Sequence, residues 1–329
     1  MRKAFVVLLA LVLGLVLAQK PRVVVGTGST GGVFFYYGTT LADLINRAGV
    51  AEAQPVQTGG SYDNLLLLRD RTNPQANTYY CALTTTDSAY VAYTGEEPRF
   101  RARKADSQRV MFYMYPSFIH IVTTEKTGIR VVQDLAGKRV STGQPGSSTE
   151  NLALMVLQAA GVRPESFAKR ERLPVAEGAK ALSEGTLDAF FWVGGVPTGS
   201  IVELSTSLAR KGDRVHLIPI DPRSTTAQVA LRRFPGLLEP TVVPRTVYNT
   251  RGDVSGLNTG NIVVCPESLP AEVAYGIMRA VFENLETLRT SVAAARDTSL
   301  ENTARLFGRL VIPFHPGAER YLRERGVLR

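Results

Sequence analysis

Short apolar runs alternate with helical patterns along this chain, and Gly, Ser and Thr fill the gaps between them. Residues 22–25 read as a strand, 26–32 as a loop of Gly, Ser and Thr, and 34–46 as a helix. The same order returns at 138–140, 141–149 and 150–160. Further strands are expected over 53–57, 78–83, 172–175 and 187–193, with helices over 62–69, 88–93, 177–183 and 200–209. Such alternation builds parallel sheets, and two arrays of it predict two α/β lobes of similar plan. Residues 110–124, rich in Phe, Tyr, Ile and Val, read as a long strand crossing between lobes and interrupted at Pro116. Residues 260–265 supply a second crossing. Helical segments over 269–288 and 291–310 are expected to pack back on the first lobe. The division is then 19–115 plus 266–329 for lobe I and 116–265 for lobe II, joined by two hinge strands with a ligand cleft between them.

Residues 4–18 carry no charged or polar side chain, follow Arg2 and Lys3, and end in Val16-Leu17-Ala18. This is the pattern of a signal peptide, here 1–18, cleaved after Ala18; a membrane span needs about 20 apolar residues. A periplasmic location follows as the expectation. Composition adds limits. With 44% hydrophobic and 20% charged residues in 329, the chain is neither disordered nor collagenous. Its net charge of +9 comes from scattered basic residues with no nucleic-acid module. The two cysteines, Cys81 and Cys265, are too few for a disulfide scaffold. Export permits a bridge between them, but their apolar surroundings favour two buried thiols.

Gly26-x-Gly28-x-x-Gly31, with Glu52 further on, fits the dinucleotide fingerprint literally. An exported protein meets no NAD pool, and Glu52 precedes its strand instead of ending it, so no cofactor is expected. His120, His216 and His315 match no metal spacing, and no Gly-x-Ser-x-Gly elbow occurs. Neither a metal nor a catalytic residue is assigned.

The chemistry lies in the loops. Ligands of open parallel sheets bind beyond the carboxyl ends of the strands. There, glycine lets backbone approach a ligand, and the following helix offers unpaired N–H groups and partial positive charge. Two such loops facing one another suit a small carboxylate. The candidate ligand set is Gly28, Ser29, Thr30 and Gly31; Thr58, Gly59 and Ser61; Thr85 and Asp87; Tyr115; Pro145, Ser147, Ser148, Thr149 and Glu150; and Trp192 and Gly195. Hydroxyls and helix N–H groups would hold carboxylates, Asp87 or Glu150 would meet an ammonium group, and Trp192, Tyr113 and Tyr115 would shape the wall. Ser29, Thr30, Ser148 and Thr149 also read as simple helix caps. A secreted hydrolase with an unrecognised triad is the rival reading, and an oxidoreductase on the glycine loop a third.

The ordered set Val25-Gly26-Thr27-Gly28-Ser29-Thr30-Gly31-Gly32, Thr58-Gly59-Gly60-Ser61 with Asn64, Asp134-Leu135-x-Gly137-Lys138-x-Val140 and Gly143-x-Pro145-Gly146-Ser147-Ser148-Thr149-Glu150 resembles the solute-binding subunits of TRAP transporters, TAXI subfamily. Leu187-Asp188-Ala189-Phe190-Phe191, Gly195-x-Pro197, Ala274-Tyr275 and Phe282-Glu283-Asn284 extend the likeness over the mature chain. It implies a type II periplasmic-binding-protein fold. Such a protein, expected to be monomeric, closes on a small carboxylate or amino acid, glutamate or glutamine above all, and delivers it to a membrane permease. Ser148 stands where glycine is usual.

Overall fold

The computed structural model describes residues 19–328; the expected signal segment lies outside them. One ten-stranded sheet runs through the molecule. Its strands are β1 (Arg22–Gly26), β2 (Glu52–Val56), β3 (Thr78–Thr85), β4 (Gln108–Thr124), β5 (Arg139–Ser141), β6 (Lys169–Glu171), β7 (Ala189–Gly195), β8 (Val215–Leu217), β9 (Leu238–Val243) and β10 (Val254–Pro266). The order is β2-β1-β3-β10-β4-β7-β5-β6, with β8 on β4 and β9 on β10. Each lobe has a parallel trio, β2-β1-β3 in the first and β6-β5-β7 in the second.

The long strands β4 and β10 pair with each other and join the trios, β10 on the side of the first and β4 on the side of the second. Residues 261–264 of β10 pair with β3, and 254–259 pair with β9. Residues 117–122 of β4 pair with β7. The β4–β10 ladder slips between Gly260 and Ile262, opposite Pro116. Proline has no N–H to give to a ladder, so the irregularity falls where the crossing must bend. The strand itself is continuous through Pro116; the expected interruption is a slip in pairing, not a break. The α/β architecture is thus two parallel trios joined through two long antiparallel strands.

Helices follow the strands as the apolar periodicity requires. They are α1 (Val33–Arg47), α2 (Ser61–Arg71), α3 (Thr86–Thr94), α4 (Pro98–Arg101), α5 (Ser148–Ala159), α6 (Val175–Ser183), α7 (Gly199–Arg210) and α8 (Thr225–Arg233). The tail departs from expectation. Residues 291–310 form no single helix but a tight turn at Ala293–Asp297 and a short helix at Leu300–Ala304. The Ser299 side chain caps that helix by accepting from Asn302 N. Buried Thr298, just before it, donates to Met114 O on β4 and bonds the Tyr37 hydroxyl. The break thus places a polar tie against the crossing strand. Cys81 and Cys265 are not the two buried thiols their apolar setting favours but a disulfide between β3 and β10, whose ladder brings them side by side.

His120 on β4 is wholly buried, with Nδ1 at Trp192 O and Nε2 at the Tyr248 hydroxyl, both at 3.2 Å. Burial lowers its pKa to about 4. In the unfolded chain the ring titrates near 6.5, so between these values only the unfolded state holds the extra proton. The stability is present above pH 6.5 and is lost as pH falls toward 4. Moving from pH 6.5 to 5 is expected to cost the fold about 1.5 kcal/mol through this ring, read from guanidinium unfolding. The variant His120→Gln should lose that part of the slope. Buried Asp87, whose pKa desolvation raises, acts in the opposite sense, so the difference between the two proteins isolates the histidine.

Candidate ligand-binding site

The loop after β1 and the loop after β5 meet. Gly28 and Ser29 from the first, and Gln144, Ser147, Ser148 and Thr149 from the second, line one cavity together with Gly59, Gly60 and Ser61. Val33, Phe34, Tyr115, Ser117, Trp192, Val193 and Gly194 complete the wall. The cavity is ≈ 30 Å³, room for one or two water molecules.

The closed arrangement is held across the gap by backbone. Gly146 O accepts from Tyr62 N at 3.0 Å and Asp63 N at 3.3 Å, satisfying the N-terminus of α2. Gln144 Nε2 donates to Gly59 O at 2.6 Å, and Asn151 Nδ2 to the Tyr62 hydroxyl at 2.6 Å. Close approach explains the glycines. A Cβ on Gly59 would strike Pro145 O, and one on Gly32 would stand 2.9 Å from the Trp192 ring.

The hydroxyls divide by what they already do. Ser147 caps α5: its Oγ accepts from Glu150 N and donates to Gln144 O. Thr58 donates to Thr27 O and Asn64 Oδ1, and Thr85 to Ser88 Oγ, so both serve the scaffold. Ser61 Oγ accepts from Thr85 N, Ser117 Oγ from Asn261 Nδ2, and Thr149 Oγ1 from Val193 N. In these last three a lone pair is used and the O–H proton remains to be given. Ser29 Oγ is buried with no partner at all, and the residue is only 5% exposed. An orphaned donor of this kind is costly unless a ligand satisfies it.

Several expected contacts fall elsewhere. Thr30 is exposed and absent from the wall. Gly31 approaches Ser200 and Ala176 of the other lobe, Pro145 lends its carbonyl to the approach of Gly59, and Gly195 abuts Tyr115 and Ala294. Neither proposed ammonium partner reaches the cavity. The Glu150 carboxylate is taken by Arg172 and Arg170, with Arg172 Nη2 at 2.7 Å and Arg170 Nη2 at 3.0 Å. Asp87 accepts from Thr259 Oγ1 at 2.8 Å and from Ser88 Oγ at 3.4 Å. Ser117 and Gln144, absent from the expected set, are both in the wall.

The dinucleotide reading fails on register. Glu52 pairs with Arg22, at the opposite end of β1 from Gly26. Asn64 fills the space beside Gly26, where a Cβ would sit 2.6 Å from its Oδ1, and donates to Thr27 O and Leu83 O. That glycine makes room for a side chain of the protein itself. Among the described residues no group of three His, Cys, Asp or Glu could hold a metal, and no helix is long and apolar enough to cross a membrane.

A second, wider cavity of ≈ 600 Å³ lies between α3–α4 and α5–α8. Its charges are spent internally, Glu96 on Arg233 and Glu97 on Arg99. It has no orphaned donor comparable to Ser29.

A sequence model described as the NMT1-like family matches residues 25–326. Two solved structures share the architecture. MatC from Rhodopseudomonas palustris, with bound malate, is 13% identical at a TM-score of 0.57, with 93% of this chain and 98% of that chain covered. PhnD1 from Prochlorococcus marinus, in complex with methylphosphonate, is 11% identical at a TM-score of 0.53, with 94% and 98% covered.

Proposed function

The chain belongs to the NMT1-like family, and from that footing we propose that it is an extracytoplasmic solute-binding protein. It captures a small carboxylate in the interlobe cleft and hands it to a membrane permease. The sequence resemblance points to a TRAP-type permease and to glutamate and glutamine among the solutes; malate and methylphosphonate, bound by MatC and PhnD1, are likewise small anions. The observation that carries the reading is the set of hydroxyl protons left free in the cleft. Ser29 has no partner, and Ser61, Ser117 and Thr149 have only accepted.

Export is supported by the Cys81–Cys265 bridge, since structural disulfides persist in oxidising compartments. A hydrolytic reading finds no support in the histidines. His120 is held by Trp192 and Tyr248, His216 lies beside Glu125, and His315 accepts from Gly317 N. None of them touches a serine of the cavity. We place the hinge at 115–117 and 259–261, where the β4–β10 ladder slips and Asn261 Nδ2 holds both Tyr115 O and Ser117 Oγ.

Trp192 is the single tryptophan of the chain and stands in the cavity wall. Saturable changes in its emission are therefore expected when solute-free protein is titrated with small carboxylates. Ser29→Ala should weaken that binding tenfold or more, about 1.5 kcal/mol for one bond to a charged acceptor, with the solute-free fold no less stable, since a buried unpartnered hydroxyl is removed. Flat emission and no heat across a panel of small anions would remove the reading.

A further inference from the structure

We infer that the solute is a small monoanion with an apolar body and no ammonium group. The inference rests on the reading of the hydroxyl-lined cavity as the solute site and narrows the small carboxylate, setting aside the glutamate and glutamine to which the resemblance points. None of the cavity-lining residues is Asp, Glu, Lys, Arg or His. Three acids on the loops and helices around it, Asp63, Asp87 and Glu150, are absent from the wall and already engaged. Asp63 Oδ2 accepts from Gly59 N at 3.0 Å, Asp87 serves Thr259 and Ser88, and Glu150 serves Arg170 and Arg172.

The wall also favours one sign. The free hydroxyl protons can donate to an anion, and although hydroxyl lone pairs also accept, no carboxylate in the wall balances a cation's charge. Gln144 spends its amide N–H on Gly59 O, and a neutral carbonyl oxygen does not balance a buried ammonium. The helices add to this polarity. The 15-residue α1 begins at the cavity with an N-cap, Gly32, that has no side chain to satisfy its N–H groups. The 12-residue α5 brings Ser148 and Thr149 to the opposite wall. Each terminus carries roughly half a positive charge, so two of them offset about one negative charge and repel an ammonium. The third terminus, that of α2, gives Tyr62 N and Asp63 N to Gly146 O, and no Lys or Arg in the wall offsets a second negative charge. Val33, Phe34, Tyr115, Trp192 and Val193 give the rest of the solute an apolar surface.

The test is calorimetry on protein unfolded in guanidinium and refolded to strip bound solute. The titrants are 4-methyl-2-oxopentanoate and leucine, which share a skeleton and differ at the ammonium, and 2-oxoglutarate and glutamate, which add a second carboxylate. The expected order is the oxo monoacid at least 100-fold tighter than leucine and at least tenfold tighter than 2-oxoglutarate, with glutamate weakest. Leucine or glutamate binding as tightly as its oxo acid overturns the inference and leaves the solute-binding reading standing. Stronger binding of 2-oxoglutarate than of the monoacid overturns the single-charge assignment. Binding of none of the four, nor of acetate, pyruvate or benzoate, removes the reading itself and the inference with it. In Ser148→Asp, a carboxylate placed in the wall should move the oxo-acid to amino-acid ratio at least tenfold toward leucine; a folded variant with an unchanged ratio counts against the inference.

Discussion

Gly146→Ala is expected to lower solute affinity at least 100-fold while leaving the protein folded. Gly146 sits at φ 79°, a region that L side chains rarely adopt, and a Cβ there would overlap the Asp63 carboxylate of the opposite lobe. The two effects separate cleanly. Backbone strain of about 1–2 kcal/mol is present whether the lobes are open or shut. The overlap with Asp63 exists only when they are shut, so opening relieves it. A 100-fold loss needs a bias of only about 2.7 kcal/mol against the closed form, a modest demand on two atoms forced inside contact distance. Gly161 supplies the control. It sits at φ 72° with nothing within 4 Å of its Cβ position, so Gly161→Ala carries the strain without the collision. It should lose stability and keep its affinity. Calorimetry gives the affinities, and small-angle scattering reads compaction at saturating solute. Wild-type affinity in Gly146→Ala would show that the Gly146–Asp63 approach is no part of the binding-competent state.

The repeated strand, loop and helix units were legible because their signals are local. Three valines at 23–25, then glycines and hydroxyls, then an amphipathic run, describe β1, its loop and α1 without help from distant residues. The same holds for β5 and α5. The roles of side chains within those loops were less legible, because they depend on partners brought in by the fold. A carboxylate in the first turn of a helix has the same local sequence whether it faces a solute or an arginine. Glu150 meets Arg170 and Arg172, which approach only because β6 lies beside β5. Thr149 reads as a helix-start residue, and its value as a donor appears only once Val193 N is found on its lone pair. Ser117 gave no signal, lying in an apolar strand beside Pro116; it matters because Asn261 from the other crossing strand fixes its hydroxyl. Residues 215–254 hold α8 and β9, which the periodicity did not announce. The exposed pattern of β9 reflects an edge strand with one neighbour, β10.

Loss of the Cys81–Cys265 bridge is expected to cost the fold about 2–5 kcal/mol. The bonded residues are 184 positions apart, so the bridge closes most of the described chain into a loop and removes many unfolded conformations. The entropy of such a closure grows only as the logarithm of its length, and about 5 kcal/mol is the ceiling for a loop of this size. Native contacts already hold the same strands together, since Val264 pairs with Ala82 and Val263 with Leu83 beside the bridge. Its removal should therefore leave the folded structure and the cleft in place and act on the unfolded chain. The double variant Cys81→Ala, Cys265→Ala suits the test, because both positions are buried and alanine leaves no unpaired polar atom there. Guanidinium unfolding should show a lower midpoint and a slope at least as steep, since an unbridged unfolded chain exposes more surface. Dithiothreitol should reproduce the shift in the wild type and do nothing to the variant. Solute affinity should stay within about twofold, because neither cysteine is in the cavity wall. An unfolding free energy unchanged by either route would mean that β3 and β10 are held by their ladder alone. A stability loss accompanied by lost affinity would mean that the bridge positions the first lobe's loops as well as restraining the unfolded chain.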